Sequence, residues 1–134
     1  MPQFGKRSKD NLLSCDPRLI DICQDVIQHY DFTVLEGYRS RDRQDELYAQ
    51  GKSKLKGGQS KHNAYPSLAV DLAPYPIDWD DTRRFYILAG MMFQSAHAHG
   101  VTIRWGGDWN RNWNLDDQKF FDLPHFEVLN EPAI

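Results

Sequence analysis

The feature that most limits this chain is a carboxylate set in an apolar run. Leu68-Ala69-Val70-Asp71-Leu72-Ala73 reads as a short buried strand and is closed by Pro74 and Pro76. An unpartnered carboxylate inside such a strand costs several kcal/mol or takes up a proton. Any fold that buries this strand must bring Asp71 a partner, and a metal ion would remove the cost.

Two histidines can meet it. His125 lies in Pro124-His125-Phe126-Glu127-Val128-Leu129, whose period of two turns Phe126 and Val128 toward a core and His125 with Glu127 to the opposite face. His62 stands nine positions before Asp71 and can reach it across a turn through Tyr65-Pro66-Ser67. Two imidazoles and one carboxylate leave the fourth tetrahedral position to water, which is the condition for a catalytic zinc site. Zinc lowers the pKa of its water to about 7, and a nearby carboxylate can move the proton to a leaving amine. Asp122, three residues before His125, is the candidate for that base. Arg39, at the end of a short strand, is the candidate for stabilising the oxyanion formed when water attacks an amide. Glu127 shares a face with His125 and could orient it from behind or replace Asp122 as base. By spacing alone the pattern is less specific than a short fixed motif such as H-E-x-x-H.

The rest of the chain reads as interspersed helices and strands. Asp16-Pro17 opens a helix running to about His29, with Leu19, Ile22, Cys23, Val26, Ile27 and Tyr30 at helical spacing. Thr33 to Tyr38 reads as a strand, Asp42 to Gln50 as a short helix, and Lys52 to Lys61, with four lysines and no acid, as a mobile loop. Asp78 is the expected cap of a helix whose Phe85, Leu88, Ala89, Met92, Phe93 and Ala96 form an apolar stripe before Gly100. Val101 to Trp105 and Pro124 to Leu129 read as strands on either side of a long loop. The connections are too uneven for a regular βαβ series, so the expected class is α+β.

Composition excludes more than it assigns. With 40% apolar and 13% aromatic residues, 134 residues can close one core, so residues 1–134 are expected to form a single catalytic domain. A net charge of -3 points to no nucleic acid or membrane surface as partner. No run is long and apolar enough to span a bilayer, and the first fourteen residues hold no signal-peptide core, so a protein resident in bacterial cytoplasm is expected. Cys15 and Cys23 are read as free thiols.

Ser60-Lys61-His62, Ala69-Val70-Asp71 and Asp122-Leu123-Pro124-His125 resemble the S-x-H, A-x-D and D/E-x-x-H signature of the M15 family of zinc peptidases. Gly37-Tyr38-Arg39-Ser40 and Arg104-Trp105-Gly106-Gly107-Asp108-Trp109 resemble two further motifs of that family, so the likeness extends over most of the chain. It implies the Hedgehog/D-Ala-D-Ala peptidase fold, an antiparallel sheet packed with helices around Zn2+ held by His62, Asp71 and His125. It also implies Asp122 as general base, Arg39 as stabiliser of the polarised carbonyl, and Ser60 as a substrate contact, with Trp109 assigned to the same cleft. The implied partner is the peptidoglycan stem peptide, cut by a monomer at the L-Ala-D-Glu bond. The small size and the absence of an export signal resemble the phage endolysin branch, held in the host cytoplasm until release to the cell wall. A D,D-carboxypeptidase or dipeptidase, and a non-catalytic wall-binding protein, are the rival readings. The interval from His62 to Asp71 is longer than the family's commoner one, and the extra turn is expected to bulge without moving the ligands.

Other candidates carry weaker signals. His97 and His99 point apart on a helix and are better read, with His29, as cations near helix C-termini. The lysine loop is read as solvated rather than as an attractor of stem-peptide carboxylates. Trp105 is expected in the core, and Trp113 is left open between core and cleft.

Overall fold

The computed structural model describes residues 2–132. Its centre is a four-stranded, wholly antiparallel sheet in the order β1-β2-β4-β3, built from β1 (Phe32–Glu36), β2 (Ala69–Pro74), β3 (Val101–Gly106) and β4 (Asp122–Pro132). The helices are α1 (Lys6–Leu13), α2 (Pro17–Val26), α3 (Arg41–Ala49) and α4 (Thr82–Ala98). Three of them build the core: α1 packs on β1, α4 on β2, β3 and β4, and α2 on α4. Val34, Val70, Leu72, Ile103, Trp105, Phe126 and Val128 meet Leu19, Ile22, Cys23, Leu88, Ala89 and Met92 in this layer. The α+β class and the antiparallel sheet agree with the expectation from sequence.

The alternation of side chains positions everything else. Val70, Leu72, Phe126 and Val128 are fully buried toward the helices, so Asp71, His125 and Glu127 point to the other face. Register then lines them up: Glu36 pairs with Asp71, Asp71 with His125, Ala69 and Arg104 with Glu127, and Gly106 with Asp122.

Several boundaries differ from the sequence reading. The second helix ends at Val26, and the chain continues to Tyr30 through turns in which His29 and Tyr30 N–H both donate to the Val26 carbonyl. Asp78 does not cap α4. That position is Asp81, whose side chain makes no capping bond, while Asp78 accepts from the Asp80 N–H in the preceding turn. The last strand is longer than Pro124 to Leu129 because Asp122 already pairs with Gly106. The α1 helix has no counterpart in the sequence reading, since Lys6 to Asn11 carries no apolar stripe. It is held from outside: Ser8 Oγ accepts from the Val34 N–H, and Asn11 Nδ2 donates to the Val34 and Leu35 carbonyls. These bonds occupy backbone groups of an edge strand that would otherwise be open to pairing with another chain. Cys15 and Cys23 are both buried free thiols, and burial pushes the Cys15 thiol up to about 12.

Candidate metal centre and active-site cleft

Three donor atoms converge at one end of the polar sheet face. His62 Nε2 and His125 Nδ1 each lie 3.2 Å from Asp71 Oδ1, the two imidazole rings are 5.2 Å apart, and one ligand atom from each residue lies within 4.8 Å of the others. Each imidazole is fixed from behind. His62 Nδ1 donates to the Gly37 carbonyl at 2.7 Å, and His125 Nε2 donates to Glu127 Oε1 at 2.8 Å. With those nitrogens carrying hydrogen, the inner nitrogens of neutral rings present lone pairs to a carboxylate oxygen. Three lone pairs facing one point repel unless a cation stands between them. The donor set of two nitrogens and one oxygen suits zinc, and a bond from each ring's far nitrogen to a carbonyl or carboxylate is the usual support for a metal-bound imidazole.

Without an ion, protons on the inner nitrogens take its place. Burial alone would raise the Asp71 carboxyl, but hydrogen bonds from His125 and His62 and their charge outweigh it and hold it well below the usual carboxylate range. Burial opposes charge on His125 too, yet the hydrogen bonds to Asp71 and Glu127 and the fields of Asp71 and Asp122 raise it to about 9. Glu127, itself buried, is kept ionised by His125 and by Arg104, whose Nη2 donates to it at 2.9 Å.

The remaining candidates gather in a cleft of about 570 Å³ over these atoms. Asp122 lies on it, and its carboxyl is raised, first by burial and then by the negative charge of Asp71, against the opposing pull of His125, His62 and Arg39. Arg39 is locked in place: Nε and Nη2 donate to Glu36, Nη1 donates to Gln44 Oε1 at 2.8 Å, and Nη2 stands 3.7 Å from Asp71 Oδ2. Ser60 lines the cleft, and its hydroxyl also accepts from the His62 N–H, which caps the 3-10 turn Lys61–Asn63 carrying the ligand. Trp109 is half-buried with its ring 5.4 Å from that of His125 and stacked 6.4 Å from Phe120. Trp105 is in the core, whereas Trp113 is exposed and touches Phe93 edge-on outside the cleft. The longer turn after His62 projects Tyr65 and Pro66 into solvent, where Tyr65 meets Tyr38, and returns at buried Ser67.

The sequence reading missed Glu36, Gln44 and Phe120. Glu36 had a weak signal, a carboxylate three residues before Arg39. Gln44 had none: it is a polar residue on a helix with little amphipathic pattern, yet it is fully buried and bonds Arg39 on one side and the lysine segment on the other.

A nitrogen-and-oxygen site of three donors, open to a cleft that also holds a carboxylate with a raised pKa, on an antiparallel sheet backed by helices, defines the class of metallopeptidases. The family model of the phage L-alanyl-D-glutamate peptidases matches residues 1–129, and the chain belongs to that family. It is 32% identical over 136 aligned residues to the L-alanyl-D-glutamate peptidase of Escherichia phage T5, spanning 95% of this chain and 98% of that protein. It is 33% identical to the peptidoglycan L-alanyl-D-glutamate endopeptidase CwlK of Bacillus subtilis (strain 168) over 74% of this chain and 61% of the relative. The crystal structure of the L-Ala D-Glu endopeptidase ChiX of Serratia marcescens superposes with a TM-score of 0.76 at 27% identity, covering 94% of this chain and 89% of that one. The zinc complex of a mutant of the vancomycin-resistance D,D-pentapeptidase VanY shares the fold at a TM-score of 0.51 and 17% identity, over 95% of this chain and 73% of that one.

Proposed function

We propose that this protein is a zinc endopeptidase that cuts the L-Ala-D-Glu bond of peptidoglycan stem peptides during lysis of a bacterial host, with His62, Asp71 and His125 holding the metal. The observation that carries this reading is the convergence of two imidazole nitrogens on the Asp71 carboxylate beneath a cleft that also presents Asp122 and Arg39. Family membership and the names of the relatives support the bond assignment.

When bound, zinc would act as a Lewis acid that polarises the scissile carbonyl and makes water acidic enough to attack at neutral pH. Asp122 takes the proton of the attacking water and returns it to the leaving amine nitrogen. Its place in the cleft beside Asp71 and His125 puts it within the site where that proton moves. Arg39 has five N–H donors. Two are engaged by Glu36 and one by Gln44, which leaves one on Nη1 and one on Nη2, the latter 3.7 Å from Asp71 Oδ2, to serve the developing oxyanion. Ser60 and Trp109 border the peptide, one by a hydroxyl and the other by a ring face. Glu127 does not act as the base in this scheme, because it is occupied by His125 and Arg104.

Among the described residues no helix is long and apolar enough to cross a membrane. We assign the protein to the host cytoplasm until lysis, on the strength of its phage family. Mass spectrometry of the products from purified sacculi tests the whole reading. Fragments ending in L-Ala, with new D-Glu amino termini, are expected, and they should disappear on chelation and return with zinc. Release of free D-alanine would instead establish a D,D-carboxypeptidase.

A further inference from the structure

One wall of the cleft is cationic. Lys52, Lys54 and Lys61 line it, while the carboxylates Asp71, Asp122 and Glu127 come from the strands β2 and β4. The two arginines of the cleft are engaged, Arg39 by Glu36 and Asp71 and Arg104 by Glu127. Among the described residues no carboxylate stands within ion-pair distance of the three lysines, and Lys54 Nζ instead lies 5.2 Å from the centre of the Phe120 ring. The hydrogen bonds that fasten this segment come from other side chains. Gln44 Nε2 donates to Ser53 Oγ at 2.8 Å and to the Leu55 carbonyl at 2.7 Å, Asp45 Oδ1 accepts from the Gly57 N–H at 2.7 Å, and Asn63 Oδ1 accepts from the Gly58 and Ser60 N–H groups. A backbone fastened by a buried glutamine thus carries like charges toward the space the peptide would fill, an arrangement that favours an anionic ligand.

We propose that Lys52, Lys54 and Lys61 form a subsite for the free carboxylate of the D-glutamate residue on the leaving side of the scissile bond. The inference rests on the L-Ala-D-Glu assignment above. D-glutamate has two carboxyl groups, and its amine belongs to the bond being cut. One carboxyl joins the next residue of the stem, so the other remains ionised within one residue of the reacting carbonyl. The subsite therefore separates walls in which that group is a free acid from walls in which it is an uncharged amide.

The test uses two soluble stem peptides identical except at that carboxyl, free in one and amidated in the other. They are given to the zinc-loaded wild-type protein, to Lys52→Met, Lys54→Met and Lys61→Met, and to the corresponding Arg variants. The wild type should prefer the free acid by on the order of tenfold in kcat/KM, mainly through KM. At least one Met variant should bring the preference near unity, and its Arg counterpart should restore it. Equal kcat/KM for the two peptides in the wild type, or a preference unchanged in all three Met variants, overturns the subsite while leaving the endopeptidase intact. Weaker binding of the Met variants to whole sacculi, with the peptide preference unchanged, overturns it in favour of attraction to wall polyanions. Failure of the wild type to cut either peptide removes the L-Ala-D-Glu assignment and this subsite with it.

Discussion

Asp122 and Glu127 are both carboxylates on β4 close to His125, and their surroundings divide their work. Asp122 is buried beside the Asp71 charge and so holds a proton more tightly, and Glu127 is bonded on both sides. Asp122→Asn should therefore lower kcat by about 10²- to 10⁴-fold with metal content unchanged, as read by paired turnover assays and metal analysis. Glu127→Gln should spare the chemistry and weaken the hold on the metal. A 10- to 100-fold rise in the zinc dissociation constant is expected in competition with a chromophoric chelator. A Glu127→Gln protein that binds zinc normally but has lost turnover would reverse the two assignments.

The elements place these residues with little tolerance. Gly106 opposes Asp122 where the register between β3 and β4 shifts, and a Cβ there would press on the Asp122 carbonyl group and lie 3.0 Å from its Cβ. Gly106→Ala should destabilise the protein by about 1–3 kcal/mol and reduce turnover more than zinc binding, because it is Asp122 and not the ligands that must move. At α2, Asp16 accepts from the Arg18 N–H and pairs with its guanidinium, which together hold its carboxyl below the usual range. Asp16→Ala should cost about 1 kcal/mol in denaturant unfolding. That difference should be present above about pH 4 and fade as acid protonates Asp16 in the folded protein, because a depressed carboxyl stabilises the fold only while ionised.

These same elements show what a reading of the sequence can reach. The stripe of α4, the alternation of β4 and the solitary Asp71 are local patterns: the first marked a helix and the other two pointed to His125 and Asp71, while His62 was reached through the likeness to the M15 motif. The stabilisation of α1 by an edge strand, the insertion of Gln44 between Arg39 and Ser53, and the facing of Gly106 by Asp122 depend on contacts between distant segments. No local periodicity records them. The lysine segment is the sharpest case, since its composition reads as a mobile loop and its fastenings are a helix side chain and backbone amides.

For the molecule as a whole, metal binding and folding share protons. In the metal-free protein the His125 proton is held more tightly than in the unfolded chain. Its contribution to stability is fully present below pH 6.5 and is lost as the pH rises through about 9. On the proposed reading zinc would displace that proton, so apparent zinc affinity should increase across the same window, by up to about tenfold per pH unit. At a hundredfold excess over its dissociation constant the ion should add about 2.7 kcal/mol to unfolding. Melting curves of metal-free and zinc-loaded protein from pH 6 to 9.5 should separate progressively. Curves that stay equally spaced would show that His125 is not the proton exchanged.

Glu36, Asp71 and His125 occupy a single row across three neighbouring strands. Sliding any of those strands by one residue would turn its polar member into the helix layer and bring an aliphatic or aromatic neighbour out in its place. If the proposed site takes its ion, capture would certify alignment: a molecule that has zipped its strands out of step could not load, and the stock of loaded protein would be proofread before it meets its substrate.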